Sequence, residues 1–195
     1  MPETPEQFWK RAHTDLRMPP VEDWESWPFV GDIAPKELEP PVAEEKSRHG
    51  VGGDCNACKN GVQSAIWHDE RWMLRPLRDP SGLPFVCLLE TRAHLDFPDL
   101  DHQHAAELGP LLLRIQRAVA SIPGVGNVHI GRWGEGSEHC HIWFMARTAR
   151  MEQLRSSFAA IWDDILPPTP REVWDANAEL VRTALADQGA ETSSE

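Results

Sequence analysis

One long amphipathic segment, with shorter apolar segments on both sides, limits what this chain can fold into. Between residues 101 and 122, apolar side chains recur at the spacing of an α-helix. They are Leu108, Leu111, Leu112, Ile115, Ala118, Val119 and Ile122. Pro110 should bend this helix or mark its first turn, and Pro123 and Gly124 should end it. The sequence therefore predicts a single long helix with one buried face in the middle of the chain.

The segments before this helix predict strands. Residues 64–74 form an apolar, Trp-rich run that is interrupted by the polar residues 68–71, which predicts two strands joined by a turn. Residues 79–82 (Asp-Pro-Ser-Gly) form a turn signal. Residues 85–89 predict a short buried strand. Three strands are therefore expected on the N-terminal side of the long helix.

The segments after the helix predict two more strands and then helices. Residues 127–133 and 139–146 predict the strands, joined by a tight turn at residues 134–137. Residues 151–165 and 171–185 predict two closing helices. This order of elements predicts an α+β domain with an antiparallel sheet, one long helix and C-terminal helices.

The ends of the chain differ in composition from its middle. Residues 1–50 predict an N-terminal extension, because prolines interrupt regular structure along much of it. A short helix is expected within it, over residues 8–16. Residues 51–186 are expected to form the globular domain, including the closing helices. Residues 187–195 are polar and predict a disordered tail.

The formal net charge of −12 over 195 residues limits the class of partner. Proteins that bind nucleic acid through its phosphate backbone need a basic surface, so no nucleic-acid polymer is expected as a partner. The negative charge does not exclude a single nucleotide that is held by local donors. No apolar run is long enough for a membrane span, and the N-terminus lacks the pattern of a signal peptide. The expected location is the cytoplasm, with no membrane partner.

The residues with the most informative chemistry lie in the predicted strand at residues 139–147, His-Cys-His-Ile-Trp-Phe-Met-Ala-Arg. Side chains alternate in a strand, so His139, His141 and Trp143 should share one face. A neutral imidazole can attack phosphorus or bind a metal. The backbone N–H groups of the neighbouring glycine-rich turn 134–137 suit phosphate oxygens. The alternative is a strand with two purely structural histidines.

Two cysteines separated by two residues, Cys55 and Cys58, form a second feature with chemical meaning. In a reducing compartment such a pair indicates metal binding or redox chemistry. Zinc favours Cys₂His₂ ligand sets, and His94 and His139 are the best candidates to complete one. A redox pair is less consistent with the sequence, because such pairs usually follow a strand, whereas a glycine-rich run precedes Cys55. Cysteines without a special role are the third interpretation.

Taken together, these motifs resemble the histidine-triad (HIT) superfamily. The stretch HCHIWFMAR at residues 139–147 is similar to the signature His-φ-His-φ-His-φ-φ at the first two histidines, and Arg147 is similar to the arginine that often follows it. Residues 90–94 follow an apolar strand and precede the long helix. They resemble the family's strand-to-helix junction, which carries its own histidine. The resemblance implies the α+β fold of that superfamily.

The resemblance extends to the zinc-containing branch of the superfamily and to galactose-1-phosphate uridylyltransferase, and it covers about residues 54–147. In that branch the four ligands follow one another along the chain in the same order as the four candidates here. The resemblance therefore implies a structural zinc ion held by Cys55, Cys58, His94 and His139. It also implies a homodimer.

By this resemblance His141 is the catalytic nucleophile. It would attack the α-phosphorus of a small nucleoside phosphate conjugate, and water or another acceptor would resolve the nucleotidyl-histidine intermediate. The charge on the phosphoryl oxygens needs preorganised donors. The candidates are Ser137, the backbone of Gly134 and Gly136, and Arg132. The alternative is that Ser137 only caps the turn, that Gly134 and Gly136 only permit its geometry, and that Arg132 is a solvated surface charge.

The third position of the triad departs from the signature, because it is Trp143. An indole neither binds a phosphate oxygen as an imidazole does nor relays a proton. The implied function is a nucleotidyl hydrolase or transferase, with Trp143 as part of the substrate site. Two alternatives are a zinc-stabilised nucleotide-binding protein without turnover, and an enzyme of this fold that acts on another substrate in a biosynthetic pathway.

Overall fold

Within the residues that the computed structural model describes, five strands form one antiparallel sheet. The described residues are 4–12, 23–24, 26–31, 33–34, 39–50 and 54–191. The strands are β1 (Trp67–His68), β2 (Trp72–Pro76), β3 (Phe85–Thr91), β4 (Val125–Gly131) and β5 (His141–Thr148). Their order across the sheet is β1-β2-β3-β5-β4. The predicted α+β class with an antiparallel sheet is confirmed.

The helices of the described residues include the predicted long one. They are α1 (Pro5–Ala12), α2 (Asn56–Asn60), α3 (His102–Ala120), α4 (Ala159–Ile165) and α5 (Arg171–Glu191). The carboxylate of Asp101 caps α3 by accepting the backbone N–H of His104 at 2.9 Å. Pro110 lies inside α3 and not in its first turn. None of the described helices is long and apolar enough to cross a membrane.

One face of the sheet packs into the core with α3 and α5. On β3 the alternate residues Phe85, Cys87 and Leu89 are fully buried, as alternation in a strand requires. Phe85 contacts Trp174 of α5, with 5.2 Å between the ring centroids. Ile115 of α3 belongs to the same core cluster. The long helix and the last helix therefore cover this face and leave the opposite face for other contacts.

The opposite face of the sheet carries a group of polar side chains. In the pairing of β3 with β5, Glu90 lies opposite His141 and Leu88 lies opposite Trp143. Arg75 on β2 lies opposite Leu88. Side chains at directly opposed positions of an antiparallel pair are close neighbours. The sheet therefore brings these residues of three strands together on one surface.

The strand that carries the two motif histidines begins later than the sequence predicts. β5 starts at His141, whereas the prediction starts the strand at residue 139. The backbone N–H of Cys140 donates to the carbonyl of Leu95 at 2.7 Å, and that of His139 donates to Ser137 Oγ at 3.2 Å. These two residues pair with loops and not with β3, so His139 lies outside the alternation of the strand.

The predicted ends of the domain also differ from the structure. The N-terminal extension packs on the domain: Trp162 Nε1 donates to the carbonyl of Ser26 at 3.0 Å, and Trp27 contacts Phe158 with 5.0 Å between ring centroids. Helix α1 begins before the predicted residue 8, and residues 13–16 lie outside the described residues. Helix α5 continues to Glu191, five residues past the predicted end of the domain at residue 186. Residues 192–195 lie outside the described residues.

Candidate metal centre and active site

The structure brings the four predicted zinc ligands together. Cys55 occupies the N-cap position of α2, and Cys58 lies three residues further along the same turn, so both thiols face the same side. His94 is in the loop after β3, and His139 lies two residues before the start of β5. The ligand atoms of all four side chains lie within 4.8 Å of one another. This cluster is a candidate metal site.

The distances within the cluster fit a tetrahedral ion. Cys55 Sγ lies 3.3 Å from His139 Nδ1, and Cys58 Sγ lies 3.5 Å from His94 Nδ1 and 3.6 Å from His139 Nδ1. Zinc–sulfur bonds of about 2.3 Å and zinc–nitrogen bonds of about 2.0 Å give a sulfur–nitrogen edge of roughly 3.5 Å in a regular tetrahedron. The donor set and its spacing therefore both fit a four-coordinate zinc ion.

A backbone carbonyl fixes the orientation of the His139 ring. Its Nε2–H donates to the carbonyl oxygen of Thr91 at 2.6 Å, which turns Nδ1 toward the thiols. Metal-binding histidines commonly carry such an outer hydrogen bond, because it sets the tautomer. Burial lowers the pKa of His139, although the bond to Thr91 opposes that effect. The ring is therefore held in the neutral form that a metal requires.

The end of the N-terminal extension forms one wall of this region. The backbone N–H of His49 donates to the carbonyl of Gly136 at 2.9 Å, and its carbonyl accepts the N–H of Glu138 at 2.9 Å. Gly50 follows with φ +101°, and a Cβ there would lie 3.2 Å from His94 Cε1. Only glycine combines this backbone conformation with so close an approach. The sequence alone does not connect the extension with the site.

His141 has one ring nitrogen bound and the other free to react. Its Nδ1 lies 2.8 Å from the backbone carbonyl oxygen of His139. A carbonyl oxygen accepts only, so Nδ1 carries the proton, and in the neutral ring Nε2 keeps its lone pair. An imidazole in this tautomer can act as a nucleophile at Nε2. The division between His139 as ligand and His141 as nucleophile stays a prediction; the structure places the His139 ring at the thiols and the His141 ring outside the cluster.

A cleft of about 310 Å³ opens beside His141. It lies on the polar face of the sheet, between the glycine-rich turn and α2. Its lining residues include His49, Arg75, Glu90, Gly136, Ser137, His139, His141 and Trp143. The predicted residues Ser137, Gly136 and Trp143 therefore surround His141. Its size is at the lower end of the range for small-molecule sites.

Solved structures of histidine-triad proteins are similar to the fold of this chain. A hypothetical histidine triad nucleotide-binding protein from Sulfolobus tokodaii has a TM-score of 0.51 and 14% sequence identity, over 68% of this chain and 93% of its own. This chain has the histidine-triad fold. At that identity the likeness carries the fold and no activity.

Two further histidine-triad proteins are also similar in structure. A Zn-bound family protein from Mycobacterium smegmatis has a TM-score of 0.48 and 18% identity, over 65% of this chain and 88% of its own. A histidine triad protein from Bradyrhizobium japonicum has a TM-score of 0.48 and 19% identity, over 63% of this chain and 87% of its own. No protein-family model and no curated protein matches the sequence.

In this histidine-triad fold the third triad position, Trp143, is part of an aromatic group. Its ring lies 6.4 Å from that of His141 and 6.0 Å from that of Trp133, and both pairs meet edge to face. Trp133 is more than half exposed. The indole of Trp143 lies next to His141, where the signature has a third imidazole, and the indole of Trp133 packs against Trp143.

Two predicted substrate residues do not line the cleft. Arg132 Nη2 pairs with Asp96 Oδ1 at 3.1 Å, and its guanidinium lies over the ring of Phe97 at 4.7 Å. Gly134 has φ +73°, and a Cβ there would lie 2.5 Å from Arg132 Nη1. Both residues hold the turn in place. Gly134 permits the geometry of the turn, and Arg132 is held in an ion pair and is not a solvated surface charge; a role in substrate binding stays a prediction for both.

The cleft contains a charged pair that the sequence analysis missed. Arg75 Nη2 lies 2.5 Å from Glu90 Oε1, and both side chains are largely buried, with 13% and 5% exposed. Each charge directly follows a segment predicted as a strand, residues 64–74 and 85–89, and lies outside it. The strand pairing that buries Arg75 with Glu90 is not visible in the sequence.

Proposed function

We propose that this protein is a nucleotidyl hydrolase or transferase, which acts on a small nucleoside phosphate conjugate through a nucleotidyl intermediate on His141. The observation that carries this proposal is the hydrogen bond from His141 Nδ1 to the His139 carbonyl oxygen. In the neutral ring this bond leaves the lone pair of Nε2 available. A fixed imidazole with a free lone pair is a suitable nucleophile for phosphorus.

Donors for the phosphoryl oxygens are available in the turn next to His141. Ser137 Oγ accepts the backbone N–H of His139 at 3.2 Å, so its own proton remains free to donate into the cleft. Gly136 also lines the cleft, and it has no side chain to block an approaching phosphate. Fixed donors at the phosphoryl group stabilise the charge that shifts during the transfer. Ser137 and Gly136 are therefore the proposed phosphate-binding residues.

The metal site would support this arrangement and take no part in the reaction. Cys55, Cys58, His94 and His139 would hold a zinc ion, the metal that best suits two thiolates and two imidazoles. Zinc with four protein ligands has no open position, so it would supply folding stability. The Sulfolobus tokodaii protein of the same fold is described as nucleotide-binding. That description agrees with a nucleotide as the partner proposed here.

The proposal is tested by turnover on a panel of conjugates of AMP, GMP, UMP and CMP, with amine, phosphate and aryl leaving groups. The wild type should release the nucleoside monophosphate from at least one of them, and His141→Ala should lower kcat by about 1000-fold or more, since the attacking atom is lost. His68→Ala, an exposed histidine at the edge strand β1, is the matched control and should keep full activity. Tight nucleotide binding without any product would instead identify a binding protein, for which Trp143 in the triad is the structural argument.

A further inference from the structure

One carboxylate oxygen next to His141 is buried and has no partner in the described residues. Glu90 of β3 lies directly opposite His141 of β5, on the face of the sheet that forms the cleft. Its Oε1 accepts from Arg75 Nη2 at 2.5 Å, but its Oε2 makes no hydrogen bond. Leaving a buried polar atom unpaired is costly. Because Glu90 lines the cleft, this unpaired atom indicates that a ligand group bound there forms the missing hydrogen bond.

The chemistry of the cleft favours a proton donor at this place. Attack of His141 on phosphorus breaks the bond to the leaving group, and the departing oxygen needs a proton when it is a poor leaving group. Trp143 at the third triad position has no ionisable group. Burial raises the pKa of Glu90, while the charge and hydrogen bond of Arg75 and the charge of His141 oppose that effect. The net direction is toward the protonated carboxyl, which can donate.

We infer that Glu90 is the general acid and base of this site, an assignment that rests on the proposed function. In the first half-reaction His141 Nε2 forms a bond to phosphorus, the bond from phosphorus to the leaving oxygen breaks, and that oxygen takes the proton of the Glu90 carboxyl. In the second half-reaction water forms a bond to phosphorus and gives a proton to the Glu90 carboxylate. The phosphorus–nitrogen bond breaks, and its electron pair returns to His141 Nε2.

Arg75 is a positioning residue in this scheme. It holds Oε1 of Glu90 and thereby fixes the orientation of the carboxyl group. With 13% of its side chain exposed, it adds a buried positive charge to a cleft that would receive a phosphate. A purely structural Glu90 would serve only to neutralise Arg75. The acid–base role and the purely structural role of Glu90 predict different effects of the leaving group on the rate of the reaction.

Aryl esters of the nucleoside 5′-monophosphates test the role of Glu90. A p-nitrophenolate leaves without protonation, whereas an unsubstituted phenolate benefits from an acid. Glu90→Gln should lower kcat/KM, which reports the steps up to release of the leaving group, by about 100-fold or more on the phenyl ester, the usual contribution of a general acid, but only a few-fold on the p-nitrophenyl ester. Glu90→Asp should recover part of the loss. Glu179→Gln, an exposed residue of α5 paired with Arg182, is the matched control and should leave both rates unchanged.

The ratio of kcat/KM on the phenyl ester to kcat/KM on the p-nitrophenyl ester decides the assignment. It does not depend on the folded fraction of a preparation, because the unfolded fraction cancels, so a destabilised Glu90→Gln still gives a valid result. A ratio equal to that of the wild type would overturn the role of Glu90 and leave the proposed function intact. If the wild type turns over neither these esters nor any amine or phosphate conjugate of the four bases, the proposed function fails, and the role of Glu90 fails with it.

Discussion

His139 and His141 are coupled through one backbone hydrogen bond, because the carbonyl oxygen of His139 accepts the Nδ1–H of His141 at 2.8 Å. The side chain of His139 lies 3.3 Å from Cys55 Sγ in the candidate metal site. One residue therefore takes part in both sites, with its ring in one and its carbonyl in the other. A change at the metal site should displace the carbonyl that orients His141, and activity should fall as a consequence.

The first prediction concerns the metal itself. Purified wild-type protein should contain close to one zinc per chain. Cys55→Ser should lose most of the metal and lower the Tm by about 10 °C, which corresponds to about 3 kcal/mol for a domain of this size. Elemental analysis and a thermal melt measure both quantities. Cys87→Ala, which removes a buried cysteine outside the cluster, is the control and should keep its zinc. A metal-free wild type that is fully folded would contradict the prediction.

The second prediction concerns Trp143. In the Glu90→Gln background, Trp143→His should raise hydrolysis of the phenyl ester by about tenfold or more, because an imidazole next to His141 can supply the missing proton. Trp143→Phe in the same background keeps an aromatic ring without an ionisable group, and it should give no such gain. Steady-state kinetics of the two double variants provide the comparison. Equal rates for them would mean that position 143 does not reach the leaving group.

The third prediction concerns Asp96, which ties the extension to the glycine-rich turn. Its carboxylate pairs with Arg48 Nη2 at 2.7 Å and with Arg132 Nη2 at 3.1 Å. Burial opposes its ionisation, but the backbone N–H of Phe97 and the Arg48 guanidinium outweigh that effect and hold the pKa of Asp96 below its usual value. Asp96→Asn should therefore lower the free energy of unfolding at pH 7 by about 1–3 kcal/mol.

The difference in free energy of unfolding between the wild type and Asp96→Asn should decrease as the pH falls. A carboxyl with a lowered pKa stabilises the folded state above its unfolded pKa of about 3.9, and this contribution is lost as the pH falls through the folded pKa. Urea unfolding of wild type and Asp96→Asn, both freed of metal, should differ most at pH 7 and converge toward pH 3. Asp79→Asn, at a side chain 87% exposed, is the control and should show little difference at either pH. A gap that widens toward pH 3 would refute the account of Asp96.

The fourth prediction is a homodimer, which the resemblance to histidine-triad proteins implies. Two surfaces suit such a contact: α3, where Leu113 is half exposed, and the edge strand β4, where Ile130 is 43% exposed. Light scattering at micromolar concentration should give twice the chain mass of 22.0 kDa. Ile130→Glu or Leu113→Glu should shift the mass toward that of one chain. A wild-type mass near 22.0 kDa would contradict the prediction.

The fold and the metal cluster could be predicted because their signals are local. Helical spacing identified α3, and the pair Cys55 and Cys58 indicated a metal wherever the partner histidines lay. The position of His139 was less predictable, because its backbone pairs with loops and the strand pattern alone extends β5 through it. His49 and Glu90 were missed for another reason. Each reaches the cleft through a pairing between distant segments, which residue types and spacing do not encode.

The central claim is that His141 forms a covalent bond to the nucleotide, and trapping that bond tests it most directly. Wild-type protein is mixed with a reactive p-nitrophenyl nucleotide ester and quenched within milliseconds in alkali, in which phosphorus–nitrogen bonds persist. The account predicts a mass increase of one nucleotidyl group in the intact protein, located to His141 in the peptide that contains residues 139–147. It predicts no increase in His141→Ala. An adduct on another residue, or turnover without any adduct on His141, would contradict the account.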